Sequence, residues 1–211
     1  MAETKIKIIQ LQEIADVYTG LPLSRYRKQS NLIRRPVVSL RSKDEDSAII
    51  MPKSELVPME IYEKESFSKN LLNDKDIIFQ VQSPNSVFCY EEKENPKRIK
   101  PIVPSTYIII RIKKELENQY NHQYITEILK SDYVKRQFNK YSEGKRSIMS
   151  INNLKNIEIP IISLSKQNDF SKLLELINKK IEIEMEQIMN AKMMKEGIIN
   201  NIIKDEEYNE F

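Results

Sequence analysis

The chain has 211 residues, 40% of them apolar and 31% charged, with a net charge of +3 and a pI near 8.7. That length allows one domain plus an appendage or two small domains, and the apolar share is enough for a packed core. One cysteine, Cys89, and one histidine, His122, exclude an intramolecular disulfide and any Cys/His-cluster zinc site. The N-terminal MAETKIKIIQ lacks the apolar core of about 7–15 residues that a signal peptide needs. No run approaches the roughly 18 apolar residues of a membrane span. A soluble, cytoplasmic chain with no membrane partner is therefore expected. The small positive charge fits a nucleic-acid partner without demanding one.

IQLQEIADVYTG (9–20) opens the chain, and Leu11, Ile14, Ala15 and Tyr18 recur at spacings of three and four, which predicts a short helix or turn closed by Gly20. In residues 21–43 seven basic residues, Arg25, Arg27, Lys28, Arg34, Arg35, Arg41 and Lys43, run without an acidic interruption, and VVSL after Pro36 reads as a short strand. AIIM before Pro52, ELVPMEIY broken by Pro58, NLLNDKDIIFQV (70–81) and SPNSVFCYEE follow as strands and turns. A basic turn then leads into a β-branched strand around Tyr107–Ile112. Short strands at this spacing predict an α+β fold with a mixed or barrel-like β core rather than a regular βαβ layout.

From Gln119 the period changes. Tyr124, Ile128 and Leu129, then Tyr133, Val134, Phe138 and Tyr141, predict one or two short helices ending at Gly144. SIMSINNLKNIEIPII carries a turn or short helix and a strand that meets Pro160. The last element is a long helix with Ser165 as N-cap. Its 39 residues from Lys166 to Lys204 would span about 58 Å. Phe170, Leu174, Ile177, Ile181, Met185 and Ile188 form an apolar stripe, continued through Lys192, Lys195, Ile199 and Ile202 and weakened near its end by Gly197. Such a stripe needs a partner, and no second long helix is available within the chain; self-association through it is one solution and folding back on its own domain another. The expected division is a globular domain over 1–162, the long helix over 163–204 and a polar tail over 205–211.

No P-loop, dinucleotide fingerprint or nucleophile elbow is present. Asp74 with Asp76, and Glu91, could serve a magnesium-dependent nuclease, but NDKD before a strand is first of all a turn. Cys89, in SVFCY, reads as a small hydrophobe. The basic segments are more informative. Arg25, Tyr26, Arg27, Lys28, Arg34, Arg35 and Arg41 are joined by Lys97, Arg98 and Lys100 and by Lys145 and Arg146. Lysine and arginine neutralise phosphates, and nearby Gln29, Asn31, Gln80, Gln82 and Asn85 are the side chains available to read base edges. If these segments share a face, that face binds duplex DNA. No metal ligand set and no catalytic residue is assigned.

Four stretches, in order along the chain, resemble the specificity subunit of type I restriction–modification enzymes. LQEIADVYTG (11–20) is similar to its opening, where EIA leads to a glycine. LLNDKDIIF (71–79) is similar to its turn and strand, with Lys75 where a glycine usually precedes Asp76. QYITEILKSDYVKRQF (123–138) resembles its helical segment. GKRSIMSINNLKNIEIPIISLSKQNDF (144–170) resembles its run from a glycine through a proline to glutamine and the spacer helix, with Ile161, Ile162 and Ser163 where a second proline usually follows, and Lys166 where glutamate usually precedes Gln167.

The resemblance implies a non-catalytic target-recognition domain that reads half of a bipartite DNA sequence. The long helix would be a spacer that docks an adenine methyltransferase subunit. S-adenosylmethionine would be bound by that methyltransferase and ATP by a restriction subunit, with no cofactor held by this chain directly. With one recognition domain and one spacer, the chain corresponds to a half-length subunit that would form a homodimer. The alternatives are a protein-interaction module of the same fold without DNA binding, and the small magnesium-dependent nuclease.

Overall fold

The computed structural model describes residues 6–25, 32–41, 53–62, 65–81, 87–92, 100–141 and 150–208. The chain divides into two units, Met1–Gln167 and Asn168–Phe211. The first is an α+β core of short strands and helices, and a long C-terminal helix follows.

The centre of the first unit is an antiparallel sheet in the order β2 (Ala15–Thr19), β7 (Tyr107–Ile112), β5 (Ile77–Gln80), β6 (Val87–Cys89). The run YIIIRI supplies its central strand, β7, because β-branched side chains suit a pleated surface packed on both faces. Alternate residues divide between two layers. Ile77, Phe79, Ile108 and Ile110 join a cluster with Ile125, Leu129, Val134, Phe138 and Leu154, whereas Ile78, Tyr107 and Ile109 join Val38, Leu72, Tyr90 and Val103.

The first layer is helical: α1 (Leu11–Ile14), α2 (His122–Lys130), α3 (Asp132–Tyr141) and α4 (Ile151–Lys155). Asn121 caps α2 by accepting from the Tyr124 amide at 2.8 Å, and Ser150 caps α4 through the Asn153 amide at 3.1 Å. Phe138 meets Phe79 edge-to-face at 5.5 Å, tying α3 to the sheet. A separate two-stranded ribbon pairs β1 (Lys7–Gln10) with β8 (Glu158–Ile161). The outer edge of β8 is satisfied by side chains. Gln137 bonds both the N–H and the C=O of Glu158 at 2.9 Å, and the Tyr124 hydroxyl donates to the Pro160 carbonyl at 2.7 Å.

On the other side lies a longer ribbon, β3 (Leu32–Arg41) with β4 (Lys53–Tyr62). Each strand continues through a proline that the sequence reading takes as a break or a boundary. The register explains this: Pro36 lies opposite Pro58. At a non-hydrogen-bonded pair neither residue donates to the other, so neither missing N–H is felt. The opening segment also differs from expectation. Its helix stops at Ile14, and Ala15–Thr19 is a strand, since pairing with β7 buries Ala15 and Val17 while Asp16 faces out. The three-and-four spacing of Leu11, Ile14, Ala15 and Tyr18 thus covers both a helical turn and a strand. AIIM and Gly144 lie outside the described residues.

The long helix α5 is Leu164–Tyr208, 45 residues, or about 67 Å at 1.5 Å per residue. It begins before Ser165, which therefore sits in its first turn rather than capping it, and it runs through Gly197 unbroken. Among the described residues no helix is long and apolar enough to cross a membrane.

Candidate nucleic-acid interface

The segment Pro101–Pro104 runs along the sheet face opposite the helices and is where distant parts of the chain meet. Leu21 donates its N–H to Val103 at 2.7 Å, and Ser105 returns a bond to Leu21 at 2.8 Å. Ile102 is inserted beside β3: its N–H reaches the Pro36 carbonyl at 2.9 Å and its carbonyl takes the Val38 N–H at 3.0 Å. Leu72 donates to Pro101 at 2.9 Å. Ile102 and Val103 are fully buried. Gly20 makes this approach possible. A Cβ there would lie 1.9 Å from the Pro104 carbonyl oxygen, so no other residue fits without moving backbone.

This spine joins three of the basic segments. Arg25 is exposed at the end of the 3-10 turn Leu23–Arg25, a few residues after the Leu21 contact. Arg34, Arg35 and Arg41 are carried on β3, opposite Glu60, Met59 and Lys53 in register. Lys100 is exposed immediately before Pro101 and donates to Asn73 at 2.7 Å. The side chains of the three β3 arginines lie outside the described residues, as do Tyr26, Arg27, Lys28, Lys97, Arg98, Lys145 and Arg146. The last two belong to the connection between α3 and α4, whose buried side chains pack on the opposite face of the sheet. Of the candidate base readers, Gln80 is half-buried at the end of β5; Gln29, Asn31, Gln82 and Asn85 lie outside the described residues.

The acidic candidates are engaged structurally. Asp76 is 2% exposed. Its carboxylate takes a two-point bond from Arg111, 2.8 Å from Nε and 2.6 Å from Nη2, and a third from the Asn73 amide at 2.8 Å. Arg111 also donates to the Leu71 carbonyl and lies 5.5 Å over the Tyr18 ring. The hydrogen bond to Asp76 raises its already high pKa further. Asp74 accepts from the Glu92 amide at 2.9 Å. Among the described residues no group of three His, Cys, Asp or Glu is placed to hold a metal ion. Sequence reasoning missed Arg111, although a lone arginine in YIIIRI is the signal of a buried charge needing a partner.

The turn between these residues is held from several sides. Lys75 has φ of 65°, a left-handed conformation costly for a residue with a Cβ. Its N–H donates to Tyr90 at 2.8 Å, and its carbonyl lies 2.9 Å from His122 Nδ1 and 3.7 Å from Cys89 Sγ. Burial lowers the His122 pKa and pushes the Cys89 thiol up to about 12, so the thiol is not an activated nucleophile at neutral pH.

In the second unit Phe170, Ile177, Ile181 and Ile188 are exposed, and Leu174 and Met185 half-exposed. Leu173, Leu176, Ile183, Met193 and Met194 are exposed as well, so apolar surface extends beyond the single stripe.

No protein-family model matches the sequence, and no curated protein is similar to it. Similar solved structures exist. The S subunit of a type I restriction–modification system from M. genitalium superposes with a TM-score of 0.51 at 11% identity, over 86% of this chain and 41% of that one. The HsdS subunit from Thermoanaerobacter tengcongensis gives 0.48 at 14% identity, over 86% and 39%. A chain from a structure on complex assembly and conformational transition of the type I R-M system gives 0.49 at 15%, over 83% and 39%. The chain thus spans about two fifths of the length of these structures. The likeness to the M. genitalium subunit is one of fold.

Proposed function

We propose that this chain is a non-catalytic DNA-recognition subunit of a type I restriction–modification, adenine-methylating complex, carrying one target-recognition domain over 1–162 and a spacer helix over 163–204. The observation that carries the reading is the fold shared with the M. genitalium S subunit. The backbone at Pro101–Pro104 supports it: on the sheet face opposite the helices it bonds Leu21, a few residues before Arg25, and strand β3, and it follows directly on Lys100. Lys145 and Arg146 would add phosphate contacts of their own. Arginine and lysine on that side engage phosphates and guanine edges of a duplex.

In this reading the chain holds no cofactor. S-adenosylmethionine belongs to a methyltransferase subunit and ATP to a restriction subunit, both partners of the complex. The apolar surface of α5 pairs with a second copy of the chain and docks the methyltransferase. Mapping of methylated adenines in cells with and without the gene tests the proposal. A bipartite motif that disappears with the gene is expected, and an unchanged methylation pattern contradicts it.

A further inference from the structure

A tight turn stands at the end of the central sheet where β7 begins. It runs over 104–107 and is closed by the Tyr107 N–H on the Pro104 carbonyl at 3.0 Å. Neighbouring backbone holds it from both sides. Ser105 donates its N–H to the Leu21 carbonyl at 2.8 Å, Gly20 donates to the Tyr107 carbonyl at 3.0 Å, and Val81 donates to the Thr106 carbonyl at 3.0 Å. Fixed in this way, the turn presents two exposed side chains, Ser105 and Thr106. We infer that Ser105 and Thr106 discriminate between bases of a DNA duplex, with Gln80 beside them and with Arg25 and Lys69 on the flanking phosphates. The inference rests on the recognition reading proposed above and adds which residues make the choice.

The chemistry of the turn suits base edges. A hydroxyl both donates and accepts, so it meets either kind of edge, and the threonine methyl group also packs against that of thymine. A turn already fixed by its neighbours loses little freedom on binding. Gln80 lies opposite Tyr107 in register, one step from Thr106, and is half-buried. Two cations flank the turn. Arg25 is exposed in the Leu23–Arg25 turn that follows Leu21. Lys69 is exposed next to Asn70, whose side chain donates to the Thr19 carbonyl at 2.7 Å and whose own carbonyl takes the Val103 N–H at 3.2 Å. Side chains of this kind neutralise phosphates and fix the position of a duplex. No carboxylate occurs in residues 19–25, 67–70, 80–81 or 104–107. Asp16 and Asp76 stand at the other end of the sheet, Asp16 opposite Arg111 in register and Asp76 just ahead of β5. A polyanion therefore meets hydroxyls, an amide and cations at this end without like charges in the same segments.

The test maps methylated adenines in cells that carry variant genes in place of the unchanged one. Ser105→Ala with Thr106→Val removes both hydroxyls from an exposed turn. The motif should persist, with the preference at one or two neighbouring base pairs of the half-site reduced about tenfold. Ser105→Asn and Thr106→Asn, made singly, offer a different donor and acceptor pair, and a new preferred base at those same positions is expected. If the double variant fails to fold, the asparagine variants decide. A motif unchanged in every variant overturns the inference and keeps the recognition reading. Loss of all methylation by variants that unfold at the normal temperature makes the turn a phosphate or partner-protein contact, and overturns the inference too. No motif with the unchanged gene removes the recognition reading itself, and this inference with it. As a second measurement on the full-length chain, Arg25→Ala and Lys69→Ala should weaken all duplexes alike and lower the salt slope by about one each. A change of preferred base in those two variants contradicts their place on phosphates.

Discussion

Arg111 grips Asp76 at two points inside the sheet, and the carboxylate is 2% exposed while the arginine side chain is 22% exposed. Removing one member leaves the other as an uncompensated charge, a change that typically costs about 3–5 kcal/mol. Arg111→Ala should therefore lower stability by about 3 kcal/mol in urea unfolding. Asp76→Asn, which keeps shape but loses the charge, should cost less. Equal and negligible effects would remove the pair from the account of the core.

Gly20 and Lys75 make opposite predictions from backbone geometry. Gly20→Ala places a methyl where the Pro104 carbonyl sits and should destabilise by about 2 kcal/mol or more, as overpacking does. Lys75 holds a left-handed φ that disfavours non-glycine residues by about 1–2 kcal/mol. Lys75→Gly relieves that strain at some entropic cost in the unfolded chain, so a gain of roughly 0.5 kcal/mol and a slightly higher Tm are expected.

His122 predicts a pH dependence. Burial depresses its folded pKa, partly offset by the bond to the Lys75 carbonyl; Lys75 lowers it further, while Glu117 and Asp76 raise it. The unfolded state then binds the proton more readily, so stability is full above the unfolded value near 6.5 and falls as pH drops below it. His122→Gln should flatten this part of the pH–stability curve. A curve of unchanged slope between about pH 5 and 6.5 would assign the loss to other groups.

Cys89 predicts slow chemistry. A thiol with its pKa pushed up to about 12 by burial is almost entirely protonated at pH 8, and the thiolate is the nucleophile. Folded protein should react with iodoacetamide far more slowly than urea-unfolded protein, measured by mass spectrometry. Equal rates would contradict the packing of β6.

Much of the fold is legible in the sequence because its signals are local. The β-branched run YIIIRI, the turn before Ile77, and the helical spacing in α2, α3 and α5 each carry their own pattern. What escapes is set by pairing across the chain. Ala15–Thr19 becomes a strand only because β7 lies beside it. Pro36 and Pro58 stay within strands only because they face each other. Asp76 looks like a turn residue until the register of β5 and β7 brings Arg111 to it. The candidate interface behaves likewise. Its basic residues are visible as charge, but the joining of Ile102 to β3 depends on hydrogen bonds between residues more than sixty positions apart.

The most direct test of the recognition reading is selection of duplex DNA from a random pool by the full-length chain, with and without a methyltransferase partner. Retained sequences should share a short motif, and retention should fall steeply between about 50 and 200 mM salt, as phosphate neutralisation requires. No retention at about 50 mM in either case would contradict it.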